Sequence, residues 1–182
     1  MKLVNGYGRA MRQMKEDVNE IRNLEVLKKT HKRPKVGDVF LFKPTNKPFY
    51  FGRVIETSAD ASLGPIGNLL YLYNSCSEKK DSIPNLLREN LLIPPLITNK
   101  LPWSMGYFET VANRPLLETE KFQRHYFKSK NPYLNGKDYF YDEFSAEIPG
   151  SKVGSPLGKY GQIGIISISV DVSRALNIPI ND

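Results

Sequence analysis

A single cysteine, Cys76, and two histidines, His31 and His125, are all that this 182-residue chain offers of the side chains most metal centres use. One cysteine forms no intramolecular disulfide and no cysteine-based zinc site, and a reducing compartment suits it best. Two histidines exclude a His-rich metal site, and His31 stands beside Lys32 and Arg33, whose charge disfavours a bound cation. No run of about eighteen apolar residues occurs, which predicts no membrane span. The opening MKLVNGYGRAMRQMK lacks the apolar centre of a signal peptide, so a cytoplasmic protein is expected. Internal repeats and low-complexity tracts are missing too. In SKVGSPLGKYGQIG, Ser151 to Gly164, no Ser or Thr follows the lysine, so the glycines read as turn formers and not as a phosphate loop.

What is present points to sheets. Ten Tyr and nine Phe favour strands, where aromatic rings pair across a ladder, and thirteen Pro with thirteen Gly exceed the needs of a helical bundle. The clearest element runs from Val36 to Glu56. Two alternating apolar and aromatic runs, Val36 to Phe42 and Phe49 to Ile55, flank a turn at Pro44-Thr45-Asn46-Lys47-Pro48. Gly52 inside the second run marks a bulge or a close backbone approach. Asn68 to Asn74 reads as a buried strand, and Ser58 to Gly67 as a loop before it. Ser75 to Arg88 reads as a polar loop. Pro94-Pro95 confine the run Asn90 to Ile97 to an edge or a bend.

Further strands are expected over Trp103 to Val111 and Phe122 to Phe127. Asp138 to Glu147 reads as a half-exposed strand or hairpin, and a short closing helix is expected from Val170 to Leu176. Between Arg9 and Lys29, apolar residues at Met11, Met14, Val18, Ile21, Leu24 and Leu27 recur by threes and fours, the period of an amphipathic helix that Pro34 would end. The expected fold class is α+β, mainly β: a curved antiparallel sheet or small partly open barrel preceded by that helix. Residues 1–33 form the appendage and residues 34–182 a single domain in this reading.

Charge is unevenly placed. Ten of the 26 basic residues lie in residues 1–35 against four of the 19 acids, which leaves the remainder close to neutral. A near-neutral body has little general attraction for phosphate, so nucleic acid is not the expected partner. The basic helix is expected to pack its stripe on the domain, with homodimerisation or partner binding through it as the competing role.

Catalytic groups are sparse. His125, with Arg124 and Lys128 nearby, is the one candidate general base, and an ordinary partly buried or surface histidine is the simpler reading. Cys76 reads as a small buried hydrophobe. Asp138, Asp142, Glu143 and Glu147 lack the spacing of a calcium loop and read as a solvated acidic edge. No cofactor and no metal are expected, and no enzymatic activity.

Taken in order, GDVFLF (Gly37 to Phe42), YFGRVIE (Tyr50 to Glu56), LLYLYN (Leu69 to Asn74), NLLIPPLITNKLPWSMGYFETV (Asn90 to Val111), NRPL (Asn113 to Leu116) and LGKYGQIG (Leu157 to Gly164) resemble the immunity protein 26 family of bacterial polymorphic toxin systems. The resemblance spans roughly Pro34 to Ile178. It implies a cytoplasmic protein that neutralises a cognate toxin by stoichiometric binding, with a nuclease among the targets considered. A toxin-binding face needs aromatic anchors among polar groups, and Asp138, Tyr139, Tyr141, Asp142, Glu143 and Glu147 are the candidates. Trp103, Tyr107 and Phe108 compete as anchors but read as core. Changing Asp142 and Glu143 to Lys is expected to weaken toxin binding without unfolding the domain. The main alternative function is a nucleic-acid-binding small barrel using the basic helix; a ribonuclease built on such a barrel is a third.

Overall fold

Alternation along the first strands puts apolar side chains on both faces of one sheet. In the computed structural model, which describes residues 23–61, 63–130 and 137–180, that sheet comprises β1 (Asp38–Phe42), β2 (Phe49–Asp60), β3 (Pro65–Ser77), β4 (Leu91–Thr98) and β5 (Glu109–Asn113). Its order is β4-β3-β2-β1-β5, with every neighbouring pair antiparallel. Val39, Leu41, Phe51, Ile55, Leu69, Tyr71 and Tyr73 build a core on one face. Phe40, Phe42, Val54, Leu70 and Leu72 build another with Trp103 and Phe108. Gly52 serves close approach, because a Cβ there would collide with the Phe40 ring. Pro94 and Pro95 do lie on the edge strand β4.

A second, smaller sheet has the order β8-β7-β6-β9 and comprises β6 (Tyr126–Lys130), β7 (Asp138–Tyr141), β8 (Glu147–Ile148) and β9 (Leu157–Lys159). β6 and β9 run parallel, so this sheet is mixed. Phe127 of β6 is fully buried in the core that Tyr71 and Tyr73 share, which fastens the small sheet to the large one. The fold is mainly β, and among the described residues neither sheet closes into a barrel. Among the described residues its α-helices are α1 (Leu101–Ser104) and α2 (Ile165–Ala175). No helix among the described residues is long and apolar enough to cross a membrane.

Several sequence expectations are corrected. The expected loop Ser58 to Gly67 shrinks to a turn around Ala61–Gly64, because β2 and β3 extend outward through a bulged ladder whose polar residues carry no apolar period. The strand expected from Trp103 begins as α1, since Pro102 has no N–H for a ladder but fits the first turn of a helix; Gly106 then reverses the chain at φ 88°. Phe122 to His125 stays irregular because the Phe122 N–H donates to the Tyr71 hydroxyl, 2.9 Å away. α2 starts five residues earlier than expected and buries Ile165, Ile168 and Val172 on one stripe.

Of the expected N-terminal helix, residues 9–22 lie outside the described residues, and residues 23–29 are not helical. Leu24 bridges Pro44, and the N–H groups of Glu25 and Leu27 donate to the carbonyls of Lys43 (2.8 Å) and Gly106 (2.7 Å). Neighbouring segments thus take the donors that a helix would have used internally.

Candidate functional site

Asp142 shapes the turn between β7 and β8. Aspartate bonds readily to backbone a few residues ahead, and Asp142 Oδ1 accepts from the N–H groups of Phe144 (3.0 Å) and Ala146 (2.9 Å). The carboxylate is buried by doing so. Ser145, at φ 62°, completes the reversal.

Glu143 points inward from the same turn. Its carboxylate accepts from the backbone N–H of His125 (3.2 Å) and meets His125 Nδ1 at 3.0 Å. His125 Nε2 lies 2.6 Å from the Tyr71 hydroxyl, which also accepts the Phe122 N–H. In the neutral imidazole with its proton on Nδ1, that N–H donates to Glu143 and the Tyr71 hydroxyl donates to Nε2. Burial alone would raise the Glu143 carboxyl, but hydrogen bonds from the His125 side chain and backbone outweigh it and hold it below the ordinary glutamate value. Burial pushes the Tyr71 phenol up. Tyr71 is 0 % exposed and His125 4 %, so in this arrangement neither ring reaches a substrate.

The β7–β8 turn is stitched to the β2–β3 turn through Asp60. The Asp60 N–H donates to the Glu143 carbonyl (2.8 Å), and the Ser145 hydroxyl donates to the Asp60 carbonyl (3.1 Å). Asp60 Oδ1 in turn accepts the Gly64 N–H (3.2 Å) and closes its own turn. Behind the joint, Tyr141 stacks on Tyr160 with ring centroids 4.1 Å apart. On the outside stand Leu63, Ile66 and Phe144, exposed by 62 %, 66 % and 58 %.

The six sequence candidates therefore share one hairpin but divide in role. Asp138 is exposed and paired with Lys128 at 2.6 Å, Glu147 is exposed, and Tyr139 and Tyr141 are half-buried. Asp142 and Glu143 are not a solvated edge; they hold the turn from inside. The sequence does not single out Phe144, Leu63 and Ile66, although an apolar residue next to turn formers, as in Phe144-Ser145 and Leu63-Gly64-Pro65-Ile66, is the available signal. Trp103, Tyr107 and Phe108 are core residues, with Phe108 stacked on Phe40 and Trp103 edge-on to it. Cys76 is exposed, contrary to the buried reading, because it lies in the outer part of β3 beyond the central core. Far along the chain, Lys28, Lys29, Lys32, Arg33 and Lys35 line an open groove of about 870 Å³. Among the described residues, no group of three or more His, Cys, Asp or Glu is placed to hold a metal ion.

A family model described as Immunity protein 26 matches residues 35–138, over half of the chain. No curated protein and no solved structure matches it.

Proposed function

Because this chain belongs to the immunity protein 26 family, we propose that it acts in the cytoplasm as the immunity protein of a toxin system, neutralising its cognate bacterial toxin by stoichiometric binding without catalysis. The family match is the observation that carries this reading. The burial of the Tyr71–His125–Glu143 array supports a protein that works by contact. The toxin-facing surface in this proposal is the β7–β8 hairpin. Asp138, Tyr139 and Glu147 contribute to the contact and Tyr141 braces it through its stack on Tyr160, while Asp142 and Glu143 keep the hairpin in shape. Acidic and aromatic side chains of this kind suit a basic cleft such as a nuclease presents.

Co-expression with the product of the gene immediately upstream, followed by co-purification and a growth-rescue assay, tests the proposal. Rescue together with a stable complex is the expected result, and the absence of both overturns it. The cationic groove at Lys28 to Lys35 favours a second reading, nucleic-acid binding. That reading requires an RNA oligonucleotide to bind with an affinity that falls steeply as salt rises.

A further inference from the structure

Resting on the toxin-binding reading, we propose that the two hairpin tips act as one plug: Phe144, with Leu63 and Ile66, seats in an apolar pocket of the toxin that is ringed by Lys and Arg. Nine large apolar side chains are exposed among the described residues, and three of them fall on these two turns. Single exposed apolar residues need no explanation, but a grouping on adjoining tips marks an interaction surface. Asp60 joins the turns through its N–H and carbonyl, and its carboxylate closes its own turn. The apolar groups are therefore carried on two turns hydrogen-bonded to each other, an arrangement that lowers the entropic cost of association.

The charge of the rim selects the occupant. Of the carboxylates in residues 56–67 and 138–150, Asp142 and Glu143 turn inward and Asp138 pairs with Lys128 at the start of β7, which leaves Glu56, Asp60 and Glu147 with no Lys or Arg in either stretch, in a chain whose net charge is +7. A basic protein surface is attracted to such a rim, and a phosphate backbone is repelled by it. Phe144 adds the demand for an apolar recess, which a nucleic-acid groove does not supply.

The test is a binding-kinetics comparison of full-length variants on the immobilised product of the gene immediately upstream. Phe144→Ala is expected to dissociate about 30-fold faster, the scale of an interface anchor, and the double variant Leu63→Ser, Ile66→Ser about tenfold faster. Glu147→Lys is expected to slow association several-fold and leave dissociation nearly unchanged. Because the substituted side chains are exposed, melting curves should overlay that of the wild type. Wild-type dissociation rates from a folded Phe144→Ala protein and from the double variant overturn the plug and leave toxin binding standing. Failure of the wild-type chain to bind overturns both. Self-association of the chain that Phe144→Ala abolishes assigns the tips to a second copy and overturns the plug.

Discussion

Glu143 joins three distant stretches of chain through one imidazole: its own turn, the His125 segment and, beyond the ring, Tyr71 of β3. A carboxyl whose folded state binds a proton less readily than the unfolded chain stabilises the fold above the ordinary glutamate range, and that contribution is lost as pH falls through the lowered folded value. Urea unfolding between about pH 7 and about pH 3 should therefore show stability falling on acidification, and Glu143→Gln should flatten that slope. At neutral pH the same variant should cost about 1–2 kcal/mol. Asp142→Lys places a cation where a buried carboxylate accepts two N–H groups. It should destabilise the domain by about 3 kcal/mol, read from the shift of its urea midpoint. The buried position of Asp142 argues against the sequence expectation that lysine here weakens toxin binding and leaves the domain intact. Asp138→Lys and Glu147→Lys, at exposed positions, should leave the midpoint within about 0.5 kcal/mol of the wild type.

The central stretches of β1 to β3 are buried on both faces, so their positions answer to one core or the other. Gly52 is the tightest of these. Alanine there drives a methyl into the Phe40 ring, which itself stacks on Phe108 with centroids 4.6 Å apart. Gly52→Ala should cost about 2–3 kcal/mol by overpacking, and Phe40→Leu in the same chain should recover part of the loss. Thermal melting of the two variants measures both effects. The segment around Leu24 behaves as part of this element system and not as a detached helix. Its leucine is buried in the Phe40 core, and Glu25 pairs with Lys43 at 2.8 Å. Leu24→Ala should lower stability by about 2–3 kcal/mol.

Across the molecule, charge is segregated: cations collect along Lys28 to Lys35 and carboxylates along the two joined hairpins. An exposed acidic rim steers association more than it strengthens the final complex. Raising salt from about 0.05 M to about 0.5 M should slow binding to the upstream gene product while changing dissociation little, since such charges are screened over distances near the Debye length. If both rates hold constant across that range, the rim has no steering role.

The mainly β character, the first hairpin, the edge position of Pro94-Pro95 and the family were legible in the sequence. Each is written in local chemistry: the alternation of apolar and aromatic residues, the missing N–H of proline, the ordered family segments. The exposed members of the candidate surface, Asp138 and Glu147, were legible for the same reason. Only tertiary structure decided that Asp142 and Glu143 turn inward, that His125 is buried between Tyr71 and Glu143, and that Leu63 and Ile66 stand beside the Phe144 turn. Local chemistry says what a side chain prefers. Which distant backbone donor satisfies a carboxylate, and which apolar residue is left without cover, depends on how two sheets meet, and no window of sequence contains both of them.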